Sequence, residues 1–216
     1  MRCTTEKYNL LYARYLEKPG ALLDWVGYRP VKHSLLDLCG GPGAVAEEAI
    51  KRGGKSVTLF DLNPRCQNPK VQCFTGDVNR PESLRRMGRS FDVIVCRQAI
   101  NYLDLDLLSQ SLYFLLNPNG HFVFNTFAKP KYSLRLYPYE GRLYFEASGY
   151  LGNRVLHCQA TPGAVDISAF KWYSLETYLS AFKDFKIVNR KVTEKSIWLN
   201  FQQPWHGPQL VAVHRD

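Results

Sequence analysis

Leu35-Leu36-Asp37-Leu38-Cys39-Gly40-Gly41-Pro42-Gly43 decides how this chain is read. An apolar run containing one acid passes through a glycine-rich turn and enters the helical pattern Ala44–Arg52. A turn of this kind after a first strand lets a ligand press against bare backbone, where a side chain would collide. It also leaves the next helix with free N–H groups pointing at that ligand. On its own the turn suits any doubly wound nucleotide-binding fold, so its neighbours must choose the ligand.

Downstream, strands and helices alternate. Ser34–Cys39, Ser56–Asp61, Val71–Thr75, Phe91–Cys96 and Gly120–Thr126 read as strands, with helical patterns at Ala44–Arg52, Glu82–Met87 and Asp106–Leu116 between them. Such alternation means crossover connections and a parallel sheet covered on both faces, an α/β fold. Upstream, the first 30 residues read as helical. Tyr8, Leu11, Tyr12, Tyr15 and Leu16 recur at helical spacing, and Pro19-Gly20 breaks the run before Ala21–Val26 resumes it.

Residues 129–173 have a different texture. Leu143–Leu151, Arg154–Ala160 and Val165–Tyr173 are rich in aromatic and β-branched residues, with turn sequences at 151–154 and 161–164. They predict an antiparallel meander inserted after the fifth strand. A helix follows at Ser174–Phe182, with Ser174 and Thr177 as candidate caps. Ile187–Val192, Ser196–Phe201 and Leu210–His214 close the chain as strand material, with Gln202–Pro208 as a hairpin connection.

At 216 residues and 45% hydrophobic content the chain supports one substantial domain spanning 1–216. It has no apolar run of the roughly 18 residues that span a membrane, and Met1–Lys7 lacks the apolar core of a signal peptide, so a soluble cytoplasmic protein is expected. The six cysteines include no C-x-x-C pair. Cys39, Cys73 and Cys96 fall in or beside strands read as buried, where cysteine acts as a small hydrophobe, so no metal site is expected. The net charge of +9 is spread along the chain without a Lys/Arg block, which argues against a nucleic-acid stripe.

The spacing of the acids sharpens the choice of ligand. Asp61 ends the second strand, where a carboxylate can accept both hydroxyls of a ribose. Asp77, in Thr75-Gly76-Asp77-Val78, follows the third strand, where an acid can accept from an adenine amino group. Each also has a structural reading: Asp61 can close the Asn63-Pro64 turn, and Asp77 can cap the helix starting near Pro81. The fourth strand delivers Arg97-Gln98-Ala99 to the same edge.

With this ordered series from Leu35 to Asn125, the chain resembles the class I S-adenosylmethionine-dependent methyltransferases, in the small-molecule branch with a meander lid. The resemblance implies a Rossmann-like, doubly wound, seven-stranded, mostly parallel sheet with an antiparallel last strand, N-terminal helices and an inserted antiparallel β lid. It covers nearly the whole chain, with 1–30 as a flap and 129–173 as the lid. In the family motif D-x-G-x-G-x-G, Asp37, Gly41 and Gly43 match, while Cys39 stands where the first glycine belongs. The resemblance assigns Asp61 to the ribose, Asp77 and Val78 to the adenine, and the Gly41–Gly43 backbone, Arg97 and Gln98 to the methionine portion, with Asp37 and Leu62 among the cofactor-binding residues. Tyr8, Tyr12 and Tyr15 resemble the flap over the cofactor. A dinucleotide is the rival ligand, with Ala46 in place of the third glycine of G-x-G-x-x-G; against it, Asp37 would repel a pyrophosphate but suits a sulfonium ligand carrying an amino group.

Methyl transfer is an in-line displacement on an already activated carbon, so the protein aligns the acceptor, excludes water and, where needed, removes a proton. The segments placed to do so supply Gln98, Asn101 and Tyr102 after the fourth strand, Asn125 and Phe127 ending the fifth, and lid residues including Tyr144, Tyr173 and His157. Of these, Asn101, Tyr102, Asn125, Tyr144 and His157 are the catalytic candidates. The expected reaction is N- or O-methylation of a small molecule by a monomer or homodimer. One alternative consumes the same cofactor by cyclising its aminobutyrate arm and releasing methylthioadenosine. Another is a nucleic-acid methyltransferase, but Cys96-Arg97-Gln98-Ala99 matches neither the N-P-P-Y tetrad nor a catalytic cysteine motif. A non-catalytic, cofactor-sensing protein on the same scaffold would not need Asp37, Asp61 and Asp77 together.

Overall fold

Leu35–Leu38 forms strand β1 with every residue buried, as a strand with neighbours on both sides and helices on both faces must be. It pairs in parallel with β2 (Val57–Asp61) and with β4 (Phe91–Arg97). The computed structural model describes residues 18–127, 134–139, 142–147, 155–156, 171, 173–193 and 196–204. Within it, β1, β2 and β4 centre a seven-stranded sheet completed by β3 (Gln72–Thr75), β5 (Leu116–Phe127), β9 (Lys186–Val192) and β10 (Ser196–Gln202). The order is β3-β2-β1-β4-β5-β10-β9, and β10 runs antiparallel to both its neighbours. The strand order reverses beside β1, which opens a crevice at the carboxyl ends of β1 and β4.

Alternate residues of each strand feed opposite cores. On one face Leu35, Leu59, Val93, Val95, Val123 and Trp198 pack against α1 (Pro19–Val26) and α2 (Ala44–Lys51) through Leu22, Leu23, Val45, Ala46 and Ala49. On the other, Leu36, Leu38, Phe60, Ile94, Cys96, Phe122 and Phe124 meet α4 (Leu105–Leu115) and α5 (Leu175–Ala181) through Leu108, Leu112 and Tyr178, with Phe182 beside them. A short helix α3 (Pro81–Arg85) joins β3 to β4. At the amino ends of the strands, Asp92 accepts from Ser34 N (2.7 Å), Ser34 Oγ (2.8 Å) and Asn117 Nδ2 (2.8 Å). That end is tied shut, and the free backbone ends lie opposite.

Between β5 and α5 a separate three-stranded antiparallel sheet forms from β6 (Leu134–Tyr139), β7 (Arg142–Ala147) and β8 (Val155–Leu156). Two of the expected meander strands are met, β7 overlapping Leu143–Leu151 and β8 lying inside Arg154–Ala160, and the first strand, β6, is one the pattern did not announce. Most of Val165–Tyr173, and all of Leu210–His214, lie outside the described residues.

The helix expected from Ala21 starts at Pro19, after a non-helical Lys18 at ψ 138°, and Pro19 occupies its first turn, where the missing N–H costs nothing. One local expectation is corrected. Cys73 is exposed, because β3 is an edge strand with three of its four residues, Gln72, Cys73 and Thr75, open to solvent. Ser174 does cap α5, its side chain accepting from Thr177 N.

Candidate active site

The turn after β1 is built from close approaches. At Gly40 a Cβ would stand 2.4 Å from Asp37 Cγ and from Leu59 Cδ1, so only glycine fits there. Gly41 lies in the left-handed region, at φ +53°, and a Cβ on it would meet nothing within 4 Å. Bare backbone therefore faces open space at Gly41, which is what a ligand-cradling turn requires. Gly43 is the N-cap of α2, its N–H donating to Gly40 O at 2.9 Å.

Cys39 is left-handed as well, at φ +58°, while its N–H donates to Phe60 O at 2.7 Å. A non-glycine residue there carries about 1 kcal/mol or more of backbone strain. Here lies the physical reason for a glycine at this motif position, and the departure leaves the loop geometry in place. The adjoining Cys96 thiol and burial hold the Cys39 thiol well above its ordinary value, so it remains neutral rather than a thiolate nucleophile. Cys39→Gly is expected to be more stable than Cys39→Ala by about 1 kcal/mol, the reverse of the usual order, because both lose the thiol and only alanine keeps the strain. Parallel thermal melts of the two variants check this.

Asp37 is fully buried. Its Oδ2 accepts from Ala46 N at 3.0 Å, and its Oδ1 has no partner. Burial pushes the carboxyl up to about 6, against the pull of the Ala46 N–H and the positive charge of Arg97. Asp61 bridges the turn: Oδ2 accepts from Gly41 N (2.9 Å) and Oδ1 from Asn63 N (2.8 Å). The turn-closing and ligand-facing readings of Asp61 thus fall on one carboxylate beside the open Gly41. Asp77 accepts from Asn79 N at 2.9 Å and lies 3.8 Å from Arg80 Nε. It does not cap α3, whose N-cap is Arg80, with no side-chain bond. Val78 beside it is buried, and Leu62 is 69% exposed beyond Asp61.

The ends of β4 and β5 carry a second group of polar residues. Gln98 is left-handed, at φ +58°, and 6% exposed; its N–H donates to Asn125 O at 3.0 Å. Gln98 Oε1 and Asn125 Oδ1 are both buried without a partner. Asn101 is enclosed differently. Its Nδ2 donates to Lys171 O, its Oδ1 accepts from Thr126 Oγ1, and its carbonyl accepts from Lys171 N at 2.8 Å. Asn101 therefore ties together the two roots of the inserted segment. Tyr102 is half-buried in a 3₁₀ turn, its carbonyl accepting from Asn79 Nδ2 at 3.4 Å. Tyr173 Oη donates to Leu103 O at 3.0 Å.

Asp37, Gly41, Gly43, Asp61, Leu62, Asp77, Val78, Arg97, Gln98 and Asn125 are thus gathered along the carboxyl ends of β1 to β5. Tyr144 belongs to β7, opposite Tyr137. Tyr8, Tyr12, Tyr15 and His157 lie outside the described residues. Sequence reasoning passed over Thr126 and Tyr178. Burial raises the Tyr178 phenol above its ordinary range, with Thr126 and Asn101 beside it pulling the other way. The alternation of β5 was the available signal, since Thr126 falls on the same face as Phe122 and Phe124.

The family model of the methyltransferase domain matches residues 8–184, most of the chain. The chain belongs to this family. It is an S-adenosylmethionine-dependent methyltransferase, and the dinucleotide reading of the glycine-rich turn falls away. Solved structures share its fold. A S-adenosylmethionine-dependent methyltransferase from Clostridium acetobutylicum ATCC 824 superposes with a TM-score of 0.64 at 14% identity, over 93% of this chain and 97% of that one. The glycopeptide N-methyltransferase MtfA, complexed with S-adenosylmethionine, gives 0.56 at 15% identity, over 88% and 96%. The 1,6-didemethyltoxoflavin-N1-methyltransferase of Burkholderia thailandensis, with bound 1,6-didemethyltoxoflavin and S-adenosylhomocysteine, gives 0.54 at 19%, over 87% and 76%. No curated protein sequence matches the methyltransferase. None of its described helices is long and apolar enough to cross a membrane.

Proposed function

We propose that this methyltransferase methylates nitrogen or oxygen of a small molecule held between the strand ends and the segment inserted after β5. The unpaired, buried Oδ1 of Asp37 carries the reading. An orphaned carboxylate oxygen costs about 1–3 kcal/mol, and it lies beside the charge of Arg97 next to the open backbone of Gly41. A ligand ammonium satisfies that oxygen, and the methionine end of the cofactor has one, together with a carboxylate that suits the positive charge of Arg97.

When bound, S-adenosylmethionine supplies a methyl group already activated by positive sulfur. The protein's own residues hold and align. Asp61, one bond from Gly41 N and one from Asn63 N, shares its remaining lone pairs with the ribose hydroxyls. Asp77 and Val78, with Leu62, flank the base at the ends of β2 and β3. Tyr8, Tyr12 and Tyr15 are assigned to the flap that excludes water, and Tyr102, Tyr144 and His157 to the acceptor side. Small-molecule acceptors are favoured by the insertion and by the absence of a Lys/Arg block in a chain whose +9 charge is dispersed.

Titration calorimetry with S-adenosylmethionine and S-adenosylhomocysteine tests the reading. Saturable one-site binding of both is expected, with a stable cofactor when no acceptor is present. Absence of binding sinks the assignment of the site. Rapid methylthioadenosine formation in the acceptor-free mixture would instead move the chemistry to the aminobutyrate arm.

A further inference from the structure

Two buried amide oxygens at the carboxyl ends of β4 and β5 remain unexplained once the cofactor's polar groups are placed. Gln98 Oε1 and Asn125 Oδ1 have no hydrogen-bond partner, in side chains 6% and 1% exposed. Gln98 is also held in the left-handed region. An unpaired buried acceptor and a strained backbone each cost on the order of 1 kcal/mol or more, and such costs persist where a ligand recovers them. The residues adjoin each other, Gln98 N–H on Asn125 O at 3.0 Å, at the ends of neighbouring strands β4 and β5. That adjacency sets both amides at the carboxyl ends of β4 and β5, where the crevice beside β1 opens. The cofactor's own strong N–H donors are already assigned, the ammonium to Asp37 and the base amino group to the Asp77 side of the sheet.

We propose that Gln98 and Asn125 are the acceptor-specificity residues of this methyltransferase and that they hold a primary amine, each oxygen accepting one N–H. The inference rests on the methyltransferase reading above and narrows its acceptor. A hydroxyl nucleophile has one hydrogen and satisfies one oxygen; a phenolate or carboxylate satisfies neither and meets their negative ends. A neutral primary amine bonded through both hydrogens keeps its lone pair for the methyl carbon. The pair then forms the N–C bond as the C–S bond breaks, its electrons remaining on sulfur. The product ammonium gives its extra proton to water. Amide oxygens suit this work because they accept from the N–H bonds without competing for the lone pair.

The test avoids any need to know the acceptor. Sinefungin carries an ammonium group where the cofactor carries its methyl, whereas S-adenosylhomocysteine carries nothing there. Wild type is expected to bind sinefungin about tenfold or more tightly than S-adenosylhomocysteine, the scale of charge-assisted hydrogen bonds in a dry site. Gln98→Leu and Asn125→Leu should each erase most of that preference, sinefungin losing more affinity than S-adenosylhomocysteine. Gln98→Glu and Asn125→Asp keep an acceptor oxygen and should retain or increase it, which separates a lost hydrogen bond from a damaged fold. Equal affinity for the two ligands in wild type, unchanged by the leucine variants, overturns the proposal while leaving the cofactor site intact. Loss confined to one leucine variant replaces the amine by a hydroxyl. Parallel weakening of both ligands makes Gln98 and Asn125 cofactor contacts and overturns the proposal, and failure of wild type to bind either ligand defeats the methyltransferase reading itself.

Discussion

Asp37→Asn is expected to stabilise the ligand-free protein while lowering its affinity for S-adenosylmethionine by about a hundredfold or more, the cost of truncating one partner of a buried charge pair. The two effects have one cause. A carboxyl with an unfolded value near 3.8 is pushed to about 6 in the fold because burial disfavours its charge. Between those values the folded chain holds a proton that the unfolded chain releases. Stability from this group is therefore full below about pH 4, falls as pH rises through 6, and is lost above it. The difference is about 3 kcal/mol as an upper figure. Asparagine removes the charge and can keep the Ala46 N–H bond, but its NH₂ is left as unpaired as Oδ1 was, so the net gain is about 1–2 kcal/mol. At roughly 2–4 °C per kcal/mol, the melting temperature at pH 7.5 should rise by about 3–6 °C. Cofactor affinity of the parent should fall about tenfold per pH unit below 6 and be flat above it, since an ammonium needs the charged carboxylate. The variant should lose that dependence. Calorimetric titration across pH 5–8 reads both, and unchanged affinity in Asp37→Asn would remove the residue from the ligand.

The central strands were legible because burial on both faces leaves continuous apolar runs: Ser34–Cys39, Ser56–Asp61 and Phe91–Cys96 bracket β1, β2 and β4 to within one residue at either end. The acids of the site were legible for the same reason, as polar residues in or just after such runs. What escaped depends on neighbours distant in sequence. Leu134–Tyr139 carries Arg135 and Pro138, and proline argues against a strand unless the pairing leaves its missing N–H unneeded; only the register Pro138 to Leu143 on β7 supplies the partner. Whether a helix opens at Pro19 or two residues later has no local signal, and packing of Leu22 and Leu23 under the sheet fixes the start at Pro19. Cys73 reads as buried until the strand order places β3 at an edge. Neither the left-handed backbone of Gln98 nor the unpaired state of its oxygen has a local signature, since both are set by where β5 ends. Asn101 shows the converse: it sits where an acceptor contact was expected, and its hydrogen bonds are spent on Thr126 and Lys171.

Gly40→Ala is expected to cost about 3 kcal/mol or more, at the upper end for overpacking, and to abolish cofactor binding with it. Gly40 is the x of the motif, the position a pattern leaves free, and the structure makes it the tightest point of the turn. A methyl there would stand 2.4 Å from Asp37 Cγ and Leu59 Cδ1 and 2.5 Å from Asp37 Oδ2. Neither neighbour can yield. Leu59 is fully buried between β1 and β3, and Asp37 is fully buried with Oδ2 fixed on the first turn of α2. Moving Asp37 breaks that bond and displaces the carboxylate meant for the ligand's ammonium. Gly41→Ala separates the two consequences. Its Cβ meets nothing within 4 Å, so stability should fall only by the left-handed penalty of about 1–2 kcal/mol, while the methyl fills the surface the cofactor presses on. Melting curves and calorimetry on both variants should therefore diverge: Gly40→Ala loses stability and binding, Gly41→Ala chiefly binding. An unshifted melting temperature for Gly40→Ala would mean that Asp37 does not lie packed beneath the turn, and both the carboxyl raised to about 6 and the cofactor contact built on it would fall together.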